Sequence, residues 1–162
     1  ITGKSLNELH KIYGEGDGGF YSHWWKDESF ANEKPKPGTY EINFERELIE
    51  LNYEEQKKKL PKGFEFPHLA VLAEAVFSHY KKTKERLLED WYSRTSAYAS
   101  DGRLVSFGYS DAYGVSVGRW TPDDADDDLG LAFARSLSKS VDTLDTEMTL
   151  KINGIEYKLV EV

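Results

Sequence analysis

The sequence predicts an α+β domain: apolar residues recur at helical spacing in the first half, alternate with period two in the second, and flank an Asn-Gly pair near the end. A chain of 162 residues is enough for one domain with a sizeable core. Its 39% hydrophobic and 14% aromatic content is that of a globular chain, able to bury enough apolar surface to offset the entropy of ordering.

The elements follow in order. Ser5 and Glu8 form a capping box ahead of Leu9, Ile12 and Tyr13, so a short helix starts there. The glycine-rich run Gly14–Gly19 ends it as a turn, because no strand precedes it and no Lys-Ser/Thr pair follows for a phosphate loop. Phe20, Tyr21, Trp24 and Trp25 are an aromatic cluster suited to a core or its lid. Pro35 and Pro37 then force extended backbone into a strand over Thr39–Phe44. Asn52 and Glu55 cap a second short helix, which Leu60-Pro61-Lys62-Gly63 stops. Leu69, Leu72, Val76, Phe77 and Tyr80 place a longer helix over roughly Pro67–Lys82. Alternation predicts strands over Arg103–Tyr109, Gly114–Trp120 and Leu129–Arg135. Met148–Ile152 and Ile155–Val160, joined by Asn153-Gly154, form a terminal hairpin.

Several functions are disfavoured by composition alone. A net charge of −8 argues against nucleic acid, whose phosphates require a basic surface. There are no cysteines, hence no disulfides, thiolate metal sites or thiol nucleophiles. No apolar run approaches the roughly 20 residues of a membrane span.

One stretch departs from the rest. Residues 91–136 contain no Lys, Glu, Gln, Asn, Ile, Met or His, although the chain has 15 Lys and 17 Glu elsewhere. At that density a stretch of this length would carry about a dozen of the two. It holds seven Ser, seven Asp, six Ala, five Gly, four Tyr and four of the six Arg. Strand content does not account for this, since the terminal hairpin carries Lys151, Glu156, Lys158 and Glu161. Tyr, Ser, Gly and Asp with occasional Arg suit adaptable recognition: tyrosine gives rigid amphipathic area, and small polar residues give hydrogen bonds without bulk.

Trp91-Tyr92-Ser93-Arg94-Thr95-Ser96, then Arg103-Leu104-Val105-Ser106-Phe107-Gly108, then Leu129-Gly130-Leu131-Ala132-Phe133-Ala134-Arg135-Ser136 resemble the C-terminal half of bacterial-type C-type-lectin-fold domains. Those domains run through a Trp-x-Ser-x-Thr strand, a strand ending in a small residue, and a closing Gly-Φ-x-Φ-Ala-Arg strand. Gly63-Phe64-Glu65-Phe66-Pro67 resembles the Gly-Trp-Arg-Leu-Pro element that opens their second helix, so the likeness covers roughly residues 53–136. It implies a C-type lectin-like fold, two helices packed on a twisted, mainly antiparallel sheet, here with an additional C-terminal β-hairpin. Residues 1–52 would supply its N-terminal elements and 137–162 an extension.

Within that fold, residues 91–136 resemble the variable region of diversity-generating retroelement proteins. There, mutagenic reverse transcription randomises adenines, chiefly in Asn-type codons, which admits Tyr, Ser, Asp, Gly, Ala and Arg and excludes Lys, Glu, Gln, Met and Trp. Trp91 and Trp120 would then be fixed scaffold, and the absence of Asn departs from the pattern. The Glu-Pro-Asn, Gln-Pro-Asp and Trp-Asn-Asp triplets of calcium-dependent lectins are missing, with Thr121-Pro122-Asp123 a partial echo. The catalytic cysteines of formylglycine-generating relatives are missing too.

Other chemistries find less in the sequence. Asp124, Asp126 and Asp128 alternate as in a calcium loop, but Leu129 and Arg135 stand where the turn Gly and the bidentate Glu belong. A solvated acidic loop is the expectation there, and no metal or other cofactor is assigned. His10, His23, His68 and His79 include no pair at close metal-ligand spacing. No serine lies in a Gly-x-Ser-x-Gly elbow, and no two carboxylates are assigned to a common cleft.

The alternation turns Val105, Phe107, Val115, Val117, Leu131 and Phe133 inward, and Ser106, Ser116, Gly118 and Ala132 outward. Loops and strand ends then carry Tyr98, Tyr109, Asp111, Tyr113, Arg119, Asp123, Asp124 and Asp126. Together with Ser106 and Ser116, these are the expected ligand-binding residues, for a protein or surface ligand of unknown identity. A calcium-linked carbohydrate-binding lectin and an enzyme of the same fold with a carboxylate site stay open as alternatives.

Overall fold

The structure is a computed structural model that describes residues 1–137, 147–152 and 155–160. It is an α+β arrangement of three helices and a curled, mixed set of sheets. Helix α1 spans Leu6–Tyr13, and both halves of its Ser5/Glu8 capping box form. Strand β1 is short, Tyr40–Ile42. Helix α2, Tyr53–Lys58, starts on the second capping box, Asn52 with Glu55. Helix α3, Leu69–Thr83, starts two residues later than the periodicity suggests. The Nδ1 of His68 caps it by accepting from the Ala70 N–H at 3.1 Å, and Pro67, which has no N–H, stays outside.

Strands β2 (Tyr92–Tyr98), β3 (Leu104–Asp111) and β4 (Gly114–Trp120) form an antiparallel meander, and β5 (Leu129–Gly130) adds in parallel to β2, in the order β4-β3-β2-β5. β6, Ala134–Ser136, pairs instead with β1. The single strand expected over Leu129–Arg135 is thus two strands in two sheets. Between them the chain crosses from one sheet to the other, Leu131 N–H donating to Glu47 O and Asn43 N–H to Phe133 O. Both sides of the crossing are covered, so Ala132, which alternation turns outward, is as fully buried as Leu131. β7 (Glu147–Ile152) and β8 (Ile155–Val160) are the expected antiparallel hairpin, with Ile152 opposite Ile155; its Asn153-Gly154 turn lies outside the described residues.

The core lies between the inner face of β3–β4 and helices α1 and α3. Phe20, Phe77 and Phe107 form an edge-on triangle with ring centroids 4.7–6.3 Å apart, closed by Trp25, Leu72, Val76, Val105 and Val117. Each such side chain contributes about 1.5–3 kcal/mol on burial. The outer edge of β4 is not left open: Tyr21 N–H donates to Val115 O, Val115 N–H to Gly19 O, and the Trp24 indole to Val117 O. That strip runs tight against the sheet, so a Cβ on Gly114 would come 2.6 Å from the Phe20 carbonyl.

Part of the other face of the sheet is also covered, which corrects one expectation. Ser106 does not face solvent; it is 0% exposed, in register with buried Arg94 on one side and Gly118 on the other. The cover is the loop 121–128, held by hydrogen bonds from Arg94 Nη2 to Asp124 O, Tyr53 N–H to Pro122 O and Glu50 N–H to Asp126 O. Period-two reasoning assumed one wet face, whereas here the loop after β4 folds back over the middle of it.

Candidate ligand-binding surface

What remains open of that face lies toward one end of β2–β4. Tyr92, Gly108 and Ser116 stand abreast across three strands, and Gly118 and Trp120 continue the same side of β4. Tyr92 is flanked by Tyr109 at 4.8 Å and by Trp120 at 5.9 Å between ring centroids, with Ser116 on the same face two strands away. Gly118 is the floor: a Cβ there would sit 3.6 Å from the Tyr92 ring and 3.7 Å from the Trp120 indole nitrogen. The result is a half-exposed aromatic platform with a hydroxyl at its centre and an acid at its rim. Tyr109 reaches this position through a bulge. Its φ is 54°, the register shifts between Gly108 and Asp111, and its hydroxyl donates to Asp128 Oδ2 at 2.5 Å. That carboxylate holds the Tyr109 phenol in its protonated form, pushing its pKa up to about 12.

Beyond the platform, the β3–β4 turn presents Asp111 and Tyr113. Tyr113 is 74% exposed, the most open large hydrophobic side chain among residues 1–137. The Asp111 carboxylate accepts from the Tyr113 N–H at 2.8 Å, and Gly114 supplies the φ of 117° that the turn requires. Arg86 braces the tip from outside, donating to Asp111 O at 2.8 Å and to Asp17 Oδ1 at 2.7 Å while lying 4.6 Å above the Tyr80 ring.

No family model, curated protein or solved structure matches the chain. The surface is therefore read from its own geometry.

The expected binding residues do not all meet. Tyr109 and Ser116 belong to the platform, and Asp111 and Tyr113 to the tip beside it. Tyr98, 51% exposed, lies at the far end of β2. Arg119 is paired with Val105 and so shares the core side of the sheet, where it lies 4.3 Å over Trp24 and 3.3 Å from Asp101. Asp101 in turn takes a two-pronged contact from Arg103, which holds its carboxyl below the usual range. Arg119 is thus already engaged, on a different face from Tyr109.

The acidic loop is mostly occupied with its own turns. Asp124 Oδ2 accepts from the Thr121 N–H at 2.7 Å and Asp126 Oδ1 from the Asp128 N–H at 3.0 Å, while Asp123 stands exposed. The carboxylates that converge are those of Asp126, Asp127 and Asp128, within 4.8 Å of one another, not the alternating set with Asp124. The backbone N–H of Asp128 holds Asp126 below the ordinary carboxylate range, and sharing a hydrogen bond with Asp126 beside the Asp128 charge pushes Asp127 above it.

Three contributors escaped the sequence reading. Tyr92 and Trp120 form the platform, whereas the sequence pattern points to neither as a ligand contact and the resemblance makes Trp120 fixed frame. Their signal was available: Tyr92 opens a strand whose pattern is Tyr-x-Arg, and Trp120 sits two residues after a glycine on the same side. Arg86 lies outside the distinctive stretch and carried no signal. Elsewhere, His10 and His23, 13 residues apart in sequence, stack with ring centroids 3.7 Å apart. Burial, and then the neighbouring His10, lower the pKa of His23, so its ring is neutral at pH 7.

Proposed function

We propose that the chain is a ligand-binding protein that displays a sequence-variable surface on a C-type-lectin-like scaffold and is diversified by a retroelement. The observation that carries this reading is the division of labour around residues 91–136. The open side chains Tyr92, Tyr109, Tyr113, Ser116 and Trp120 all come from the stretch free of Lys and Glu. The groups that fix their backbone from outside it are Gly19, Tyr21, Trp24 and Arg86. A frame held from outside lets surface residues change without loss of the fold, which is what a diversified binder requires. Packing of α3 against a curled, mainly antiparallel sheet, with α1 laid on α3, supports the lectin-like scaffold. Among the described residues no helix is long and apolar enough to cross a membrane.

The test is a substitution scan in which Tyr109 and Tyr113 on one side, and Val105, Phe107 and Val117 on the other, are each replaced by Ser, Asp, Gly and Arg, and Ser116, with the first set, by Asp, Gly and Arg. The reading expects the first set to keep a cooperative melt and the second to lose it. Equal intolerance in both sets would remove it. A near-copy of the codons for residues 91–136 beside a reverse transcriptase gene is the matching expectation at the level of the locus.

A further inference from the structure

The charges of residues 91–136 are sorted by sign around the aromatic platform. Each of the stretch's four arginines is spent elsewhere. Arg94 lies buried on Asp124 O, Arg103 and Arg119 share Asp101, and Arg135 pairs with Glu41. The acids collect at the platform end. Asp128 accepts from the Tyr109 hydroxyl, Asp126 and Asp127 bring carboxylate oxygens within 4.8 Å of it, and Asp111 stands exposed at the β3–β4 turn. Arg46 meets this group from outside the stretch, 2.7 Å from Asp127 O and 3.4 Å from Asp128 Oδ1. Arg86 spends its charge on Asp17 and touches only the carbonyl of Asp111.

Elsewhere the chain repeats one arrangement three times: a guanidinium lying over an aromatic ring and paired with a carboxylate. Arg119 lies 4.3 Å from the Trp24 ring and pairs with Asp101. Arg86 lies 4.6 Å from Tyr80 and pairs with Asp17, and Arg135 lies 4.6 Å from Phe64 and pairs with Glu41. At the platform the rings and the carboxylates are both present, but among the described residues no cation lies over Tyr92, Tyr109 or Trp120. Gly118 keeps the space beside Tyr92 and Trp120 clear of a side chain of the chain's own. The rings are inclined, Tyr92 by 40° to Tyr109 and by 64° to Trp120, so they offer π faces in more than one direction. Burial, and then the charges of Asp128 and Asp111, raise the pKa of the Tyr92 phenol, so a negative field acts on the platform itself.

We propose that the platform receives a basic side chain, arginine foremost, from a partner protein, its guanidinium over Tyr92 and Trp120 and its charge answered by Asp128 and Asp111. This rests on the reading of residues 91–136 as a recognition surface and adds the chemistry of what is recognised. Arginine fits better than lysine because its planar, weakly hydrated guanidinium stacks on a ring and binds a carboxylate through two N–H groups at once. A partner with a basic patch also complements the net charge of −8, which would speed their encounter.

The experiment is amide NMR of the isotope-labelled chain, titrated with the peptide acetyl-Gly-Arg-Gly-amide. The same peptide carrying citrulline, the neutral isostere, and the methyl glycosides of glucose, galactose and mannose are titrated in parallel. The arginine peptide should move the amides of Gly108, Ser116 and Gly118 and the indole of Trp120, with a Kd on the order of 10 mM or below. Citrulline should bind at least roughly fivefold more weakly, and raising NaCl from ~20 to ~500 mM should weaken the arginine peptide about threefold. Asp128→Asn and Asp111→Asn should each weaken it by about threefold; should either variant fail to fold, the citrulline and salt comparisons on the unaltered chain decide. Equal binding of citrulline, indifference to salt, shifts that map away from the platform, or no binding at ~50 mM peptide overturns the proposal. A glycoside that moves the same amides at lower concentration overturns it too, in favour of a carbohydrate ligand. Each of those results leaves the diversified-surface reading standing, because that reading falls on the melting scan, which uses no ligand.

Discussion

The hydroxyl of Tyr109 donates a 2.5 Å hydrogen bond to Oδ2 of Asp128, joining the bulge at the end of β3 to the acidic loop that covers the sheet. Because Asp128 is charged, the bond favours the neutral phenol and raises the Tyr109 pKa to about 12. An unfolded tyrosine titrates near pH ~10. Below that pH both states keep the proton and the bond contributes in full. Above it the unfolded chain releases its proton while the folded chain retains it, so stability falls as pH rises through the interval up to about 12. Ultraviolet titration of the folded chain should show one late tyrosine, and Asp128→Asn should bring it back toward its ordinary range. A wild-type titration without that late component would contradict the assignment.

Asp127 gives a prediction of opposite sense to that of a stabilising carboxylate. Its neighbours Asp126 and Asp128 raise its pKa, so its ionised form is less favourable in the folded chain than in the unfolded one. The associated stability is complete below the unfolded pKa and is lost as pH rises through the raised one. Asp127→Asn should therefore raise the melting temperature at pH 7 and have little effect near pH ~3, where Asp127 is mostly protonated in the folded and the unfolded chain alike. An equal gain at both pH values would point to a cause other than repulsion.

Arg94 is fully buried under the same loop. It donates to the Asp124 carbonyl, while its Nε and Nη1 have no protein partner. Burial pulls its pKa down, the signature of a desolvated cation. A buried cation so poorly compensated adds little net stability. Arg94→Met, which keeps most of the volume, should leave the urea midpoint unchanged or raise it. Arg94→Ala, which opens a cavity, should cost about 2–4 kcal/mol. A large loss with Met would show that the charge itself holds the loop.

How far the fold was legible depended on how local its causes are. Both capping boxes, the long helix, β3, β4 and the strands of the terminal hairpin follow from spacing within a few residues, and all are present. The failures involve contacts distant in sequence. Ser106 is buried beside Arg94, which the distant loop of Asp124 covers, and nothing near Ser106 announces that. Leu129–Arg135 splits because Glu47 and Asn43 draw its middle out of register. At the surface, alternation already puts Arg119 on the side of Val115 and Val117 and Ser116 on the other; grouping Arg119 with Ser116 in one ligand surface treated it as a strand-end residue free of that alternation. A histidine pair far apart in sequence was equally beyond a spacing argument.

The tip of the β3–β4 hairpin separates a residue that holds the fold from one that is free to bind. Gly114 has a φ of 117°, and any Cβ there meets the Phe20 backbone at 2.6 Å. Neither backbone can retreat, since Val115 is bonded on both sides of that contact, through Gly19 O and Tyr21 N–H. Gly114→Ala should therefore cost about 3 kcal/mol, combining backbone strain with overpacking. Tyr113, its neighbour, buries little and supports nothing beyond its N–H bond to Asp111. Tyr113→Ala should change stability by less than about 0.5 kcal/mol. Once a ligand is in hand, it should weaken binding by more than ~1 kcal/mol, as truncation of an exposed aromatic anchor does. Urea unfolding of the two variants and titration of the second with ligand check the pair. If Tyr113→Ala leaves affinity intact, and Tyr109→Ala does likewise, the recognition surface lies elsewhere on the molecule.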